Sequence, residues 1–382
     1  MKSATCWQVN LQRRFGGGEV YTRFLCRALA DLGWRTRLVV DARAGYWERM
    51  DLPQTELVPL DRLEQLPGVL PAERSLVLTH GGIMAPYKHE IAARHFLCGI
   101  AHMPLHGRRP DTFSGYTLVA GVSRYVVDSL LAAGMQNVYP EPLYGVADLA
   151  PRPTQGAQSD AIRRTSCYDW DERKFRDRLL GWLEPAWLAL RPERGYERRD
   201  GITLGIVSRL TTIKQFPLLF SLIAAKLAQH PRFRLEVFGS GGYASVRDLR
   251  RELTPLGDRV RFWGEQSDVR RVYGEIDYVM TGLPEREALG LNVLEAQACG
   301  TPVLAVAAPP FTETVVDGVT GFFFRDPRED RGADFERLLQ QLEGLAERLQ
   351  PQLAADHLAR FSPEAFRSRV ATLLDHLSPE LT

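Results

Sequence analysis

The chain has 382 residues, with 48 Lys and Arg against 47 Asp and Glu. That length accommodates two α/β domains of ordinary size with large cores, and so balanced a charge gives no reason to expect nucleic acid or a strongly acidic partner. The five cysteines, Cys6, Cys26, Cys98, Cys167 and Cys299, are scattered without a CxxC pair, which argues for a reducing compartment and against a disulfide framework or zinc site.

The opening MKSATCWQVNLQRRFGGG lacks the apolar core of a signal peptide. No run approaches the roughly 18 apolar residues of a membrane span. The expectation is a soluble, cytoplasmic protein.

Cys6–Asn10 reads as a first strand, followed by Gly16, Gly17 and Gly18 and an amphipathic helix from Glu19 to Leu32 closed by Gly33. Arg37–Val40 is the next strand. The chain thus opens β–Gly loop–α–β, the start of a doubly wound sheet. Such a loop lets backbone approach a phosphate or sugar, or is simply a tight turn. Its spacing is not GxGxxG, so a dinucleotide fingerprint is not supported.

Ser75–His80 and His95–Ala101 are further buried strands. His102 stands where the second ends, outside the carboxyl end of a strand, where ligands bind in open α/β sheets. The plainer reading of His102 is a hydrogen-bonded structural histidine. His106 falls in a polar loop with Arg108, Arg109 and Pro110 and reads as solvated. Leu118–Val122 is another strand, with Ser123 capping a helix from Arg124 to Ala133.

Residues 151–200 change character: PRPTQGAQSD is a Pro/Gly/polar linker, and the following segment mixes basic, aromatic and aliphatic residues. Phe175, Leu179, Trp182 and Leu183 form an apolar helical stripe. One reading is an amphipathic element that makes a weak membrane-surface contact through 168–190. The other, favoured because acidic residues interrupt the basic face, is a helix packed against the protein's own domains.

A second α/β unit begins at Ile202–Val207. Arg209 and Lys214 stand between its first strand and a helix from Phe216 to Leu227, where an Arg and a Lys suit a diphosphate. Arg232–Phe238 is a strand ending in Gly239-Ser240-Gly241-Gly242, and Arg259–Trp263 another ending at Gly264 and Glu265. Asp277–Met280 then leads into TGLPEREALGLNVLEAQACGTPV, whose helix closes at Gly300 with Pro302 beyond. Glu287 precedes that helix and Glu295 lies in its second turn. Free N–H groups at a helix start favour an anion, and side chains lean toward the helix N-terminus. Carboxylates flanking a phosphate site make sense if they grip hydroxyls on either side of it, as in a sugar nucleotide. From Asp334 to Leu377 the pattern is helical. HExxH, GxSxG, GxxxxGK[ST] and clustered metal ligands are absent from the sequence.

Together these elements resemble the retaining GT-B glycosyltransferases of family 4, most strongly from about residue 202 to 325. EALGLNVLE matches the family's E-x7-E motif through Glu287 and Glu295, and SRLTTIK matches its diphosphate-binding Arg and Lys through Arg209 and Lys214. VFGSGG resembles its Gly loop, RFWGEQSDVRRVYGEIDYVM its approach to the base, DGVTGFFF its closing hairpin, FGGGEVYTRFLCRAL its first helix and CGIAHMP its strand-end histidine. Three departures are Leu289 where an aromatic is usual, the altered Leu143–Asp148 segment, and the long, Trp-rich 151–200 region.

The resemblance implies an α/β fold with two Rossmann-like domains facing each other across a cleft. The acceptor domain would span 1–150 and regain a C-terminal helix at about 361–377; a linker or insert would span 151–200 and the donor domain 201–360. It implies a metal-independent hexosyltransferase without a cofactor, using a nucleotide-diphosphate sugar and a glycan or lipid-linked acceptor. UDP is the favoured nucleotide, with GDP-mannose as the other candidate, and the setting is lipopolysaccharide or exopolysaccharide biosynthesis. Arg209, Lys214, Glu287 and His102 would be catalytic; Gly16, Gly17, Gly18, Gly239, Gly241, Gly264, Glu265, Leu289, Gly290, Leu291, Asn292 and Glu295 would bind the donor. A 2-epimerase or phosphorylase on the same fold, or a non-catalytic scaffold, stays open.

Overall fold

The computed structural model describes residues 4–105, 110–147, 162–171, 173–190 and 195–381. Two compact units emerge, Met1–Ala147 with Ala359–Thr382, and Asp148–Leu358.

The first unit carries six parallel strands: β1 (Thr5–Asn10), β2 (Arg35–Asp41), β3 (Thr55–Leu60), β4 (Leu76–Thr79), β5 (Phe96–Ala101) and β6 (Leu118–Gly121), in the order β3-β2-β1-β4-β5-β6. Its helices include α1 (Gly17–Asp31), α2 (Ala85–Arg94) and α3 (Arg124–Ala132). Ser123 caps α3, its side chain accepting from the Val126 N–H at 3.1 Å. The near-continuous burial of β4 and β5 fits a parallel sheet covered on both faces.

In the second unit α4 (Phe175–Ala189) precedes β7 (Ile202–Val207), α5 (Phe216–Ala228), β8 (Phe233–Phe238), α6 (Tyr243–Glu252), β9 (Val260–Gly264), α7 (Val269–Glu275), β10 (Tyr278–Met280), α8 (Leu291–Ala298), β11 (Val303–Val306), β12 (Gly321–Phe324) and α9 (Ala333–Gly344). The order is β12-β11-β10-β7-β8-β9, again all parallel. Numbered from each unit's own first strand, both sheets run 3-2-1-4-5-6, the doubly wound order in which ligands collect where the winding reverses. Those switch points are β1/β4 and β7/β10.

Four elements differ from the sequence reading. Helical periodicity over 334–377 becomes separate pieces, since Pro351 and Pro363 interrupt the chain between α9 and α10 (Pro363–Leu381). The helix α10 belongs to the first unit, where Phe366 meets Tyr21 of α1 edge-on at 5.3 Å. β3 was not expected as a strand, because Glu56 and Pro59 break its apolar pattern at the sheet edge.

The third difference concerns α4. Its opposite face is anchored to the second unit: Glu184 accepts from Trp170 Nε1 (2.5 Å) and Ser166 Oγ (2.7 Å), and Gly181 packs under the Trp170 ring. The stripe itself faces outward, with Phe175 74% and Trp182 76% exposed, and Leu179, Leu183, Trp187 and Leu190 exposed beside them. The expectation of a stripe buried against the protein's own domains is therefore overturned. The expected linker at 151–160, and His106, Arg108 and Arg109, lie outside the described residues.

The fourth is the segment 162–171, which is tied to the sheet instead of spanning free. Thr165 N–H donates to the Trp263 carbonyl (2.8 Å), Gly241 N–H to that of Cys167 (3.0 Å), and Asp169 N–H to that of Gly241 (2.8 Å).

A buried charge cluster fastens β8 to β9. Glu236, 1% exposed, accepts from Arg261 Nε and Nη2 at 2.7–3.0 Å and from Trp263 Nε1 at 2.7 Å. Removing the carboxylate strands the guanidinium of Arg261, which is buried too. Glu236→Ala should destabilise the second unit by about 3–5 kcal/mol. Chemical denaturation followed by Trp fluorescence measures this, and an unchanged midpoint refutes it.

Candidate active site

In the second unit the polar residues expected from sequence gather at the β7/β10 switch point. Val207 ends β7, and Arg209 follows it, exposed and with no ion-pair partner among the described residues. Lys214 reaches the loop after β10, where its Nζ pairs with Glu287 Oε2; both side chains are mostly buried. The two loops lie backbone to backbone, for a Cβ on Gly282 would stand 1.9 Å from the Lys214 carbonyl oxygen. Glu287 is held by its own turn, its N–H donating to the Pro284 carbonyl at 2.9 Å.

Gly290 then starts α8 at φ +80, a left-handed position that costs a side-chain-bearing residue and not glycine. Leu289 is buried and Leu291 opens the helix. Asn292 Nδ2 donates to the Val207 carbonyl (3.1 Å), tying the start of α8 to the end of β7. One turn on, Glu295 Oε2 accepts from the Tyr273 hydroxyl of α7 at 3.1 Å. Burial raises the Glu295 carboxyl to about 7, against opposing effects of Tyr273 and Lys214. The result is a cation pair, a helix N-terminus and two carboxylates on adjoining loops. That set can neutralise a diphosphate and bind hydroxyls beside it.

The glycine-rich turns of the second unit are closely packed. A Cβ on Gly239 would stand 1.9 Å from the Ser208 carbonyl oxygen, and one on Gly241 2.0 Å from that of Leu210. At Gly264 it would strike Thr165 Oγ1 at 2.3 Å. In these turns the chain's own backbone and the 162–171 segment occupy the space that a Cβ would take. Glu265 is exposed, its carbonyl accepting from Thr165 Oγ1 at 2.8 Å.

The first unit has its own polar cluster at the ends of β1, β4 and β5. Gly16 caps α1, and Gly17 and Gly18 begin it; a Cβ on Gly18 would meet nothing within 4 Å. His102 follows β5 and its Nε2 lies 3.0 Å from His80 Nδ1. His80 Nε2 is in turn 2.9 Å from Gln8 Oε1. The sequence reading singled out neither His80 nor Tyr273. His80 was within reach of the strand-end rule applied to His102, since it closes the run Ser75–His80. Tyr273 left no such signal, being one apolar position of a short helix.

Residues 193–352, inside the second unit, match the family described as Glycosyl transferases group 1. A D-inositol 3-phosphate glycosyltransferase of Stackebrandtia nassauensis is 36% identical over 179 residues, covering 43% of this chain and 39% of the relative. One from Segniliparus rotundus is 28% identical over 382 residues, 92% of this chain and 82% of the relative. The chain spans only about two-fifths of the length of the first curated relatives it matches. A crystal structure of Anabaena HepE in complex with UDP and glucose aligns at a TM-score of 0.67 and 19% identity, over 98% of this chain and all of that one. The fold is thus the GT-B fold, two Rossmann-like domains in one chain.

The raised Glu295 has a stability consequence. Its carboxyl titrates near 4.5 when exposed and at about 7 in the folded chain. Between those values the folded state holds the extra proton, so stability falls as pH rises through the window, by about 3 kcal/mol in all. Glu295→Gln should flatten that part of the curve. Unfolding midpoints from pH 4.5 to 7.5 check it, and parallel curves for both proteins count against it.

Proposed function

We propose that the chain is a retaining glycosyltransferase that moves a hexose from a nucleotide-diphosphate sugar to a glycan or lipid-linked saccharide. The observation that carries this reading is the Lys214–Glu287 pair beside Arg209 and the start of α8. UDP is favoured as the nucleotide, supported by the UDP in the HepE complex, with GDP-mannose the other candidate. Names of the curated relatives support transfer to an acceptor.

In this reading Arg209, Lys214 and the N–H groups from Leu289 to Asn292 stabilise the charge that develops on the leaving diphosphate. Glu287 holds hexose hydroxyls and Glu295 ribose hydroxyls. Gly239, Gly241, Gly264 and Glu265, together with Gly16, Gly17 and Gly18 of the first unit, are assigned to donor binding. The bond from the anomeric carbon to the diphosphate oxygen breaks, and the bond to the acceptor oxygen forms on the same face. The acceptor proton passes to the departing phosphate. His102 contacts the hexose and orients the acceptor. With protein cations assigned to the diphosphate, the reading needs no metal.

Lys214→Ala should lower transfer by 10²-fold or more, about 3 kcal/mol of transition-state stabilisation, with folding retained. The assay is release of UDP from a panel of UDP-sugars with and without saccharide acceptors. Full turnover in the folded variant refutes the role. Acceptor-independent conversion of the donor would point instead to an epimerase.

A peripheral membrane setting, as in lipopolysaccharide or exopolysaccharide assembly, is part of the same proposal and rests on α4. Among the described residues no helix is long and apolar enough to cross a membrane. The α4 face exposes two Trp, a Phe and three Leu, and Arg176 and Arg178 flank it. Asp171 and Asp177 are already paired with Arg173, Lys174 and Arg176. Apolar burial with cations at the rim suits an anionic lipid surface. The protein should sediment with phosphatidylglycerol vesicles at low salt, and less so as the Trp182→Ala, Leu183→Ala double variant. Wild-type protein left in the supernatant rules the contact out.

A further inference from the structure

Behind His102 runs a chain of hydrogen bonds whose direction can be worked out. Gln8, fully buried on β1, donates its amide Nε2 to Cys26 Sγ at 3.4 Å. Its Oε1 therefore faces His80 Nε2 at 2.9 Å and requires an N–H there. A neutral imidazole has one proton, so a protonated Nε2 leaves Nδ1 bare. His80 Nδ1 has two neighbours, Thr22 Oγ1 at 3.2 Å and His102 Nε2 at 3.0 Å. The Thr22 hydroxyl donates to the Gly18 carbonyl at 2.8 Å and accepts from Asn10 Nδ2 at 3.0 Å. Asn10 is oriented by its own Oδ1, which accepts from the Gln12 N–H. The donor to His80 Nδ1 is then His102 Nε2. Burial depresses both rings, His102 to about 4 and His80 below the usual histidine range, so both are neutral near pH 7.

We propose that His80, oriented by Gln8, is a positioning residue that locks His102 as its Nε2–H tautomer, so that Nδ1 presents a lone pair to a hydroxyl of the sugar or acceptor. This rests on the reading of His102 as the substrate-facing group. His102 Nδ1 has no partner among the described residues and is not sealed from solvent. The site then takes a hydroxyl as a donor, pulling its lone pairs away from the ring and leaving them directed elsewhere. The opposite tautomer would bind the same hydroxyl as an acceptor and turn it round. Direction is set three residues away, at the Gln8 amide: reversing that amide reverses every bond in the chain.

Long-range ¹H–¹⁵N spectra of the full chain with ¹⁵N-histidine test this, the His102 signals being assigned by their loss in His102→Asn. The expected pattern is a protonated Nε2 and a bare Nδ1 on His102. In His80→Leu the two shifts should average as the tautomers mix, kcat/KM for transfer should fall about tenfold, and the Kd for UDP should stay put. His80→Gln, whose amide oxygen can accept from Nε2, should restore most of both. A protonated Nδ1 on wild-type His102 overturns the proposal, as do His102 shifts unmoved by His80→Leu. The wild-type spectrum decides even if that variant does not fold. The assignment of His102 to the substrate fails separately, if His102→Ala transfers at the wild-type rate.

Discussion

A parallel sheet covered on both faces has no polar surface except at its strand ends. Both units obey this constraint, and everything chemical in them follows from it. The strands β4, β5, β10 and β11 are buried along their whole length. Polar side chains within the strands, such as Glu236 and Arg261, are spent on one another, so those that can meet a ligand stand at the strand ends, in the loops and at the helix starts. The 3-2-1-4-5-6 order then separates the connections on either side of the first strand, and the crevice between them is where the polar groups collect. Lys214 and Glu287 meet because the loops after β7 and β10 are neighbours across that crevice.

Much of this was legible from residue order. Strand, turn and helix signals located β1, β5, β7, β8 and β10, and the spacing of Glu287 and Glu295 followed from one helix. What escaped was nonlocal. Periodicity identified the apolar face of α4 correctly, yet said nothing of what covers it, and the answer is solvent. The residues 162–171 looked like part of a linker because pairing with Gly241 and the end of β9 depends on residues some 70–100 positions away. The glycines after β8 and β9 were visible, but the backbone oxygens packed against them come from distant loops and left no sequence signal. His80 escaped for a different reason: it closes its apolar run just as His102 closes the next, and residue order does not show that the two rings meet.

The same strand order carries opposite electrostatics in the two units. At the β7/β10 switch the groups are charged: a guanidinium, an ammonium paired with a carboxylate, and a second carboxylate whose burial holds its proton to about 7. Around β1/β4 the groups behind His102 are neutral, and Gln8, His80, His102, Thr22 and Asn10 form directed hydrogen bonds, with the Glu19 carboxylate beyond Asn10. Charge suits a ligand that is itself charged, and it tolerates positional error because Coulomb attraction falls slowly with distance. A directed chain of neutral hydrogen bonds is the reverse: it attracts weakly but fixes which atom donates and which accepts. A sugar offers only hydroxyls, each both donor and acceptor, so orienting one requires a partner whose own role is settled. That asymmetry follows from the side chains at the strand ends, and the fold by itself is indifferent to it.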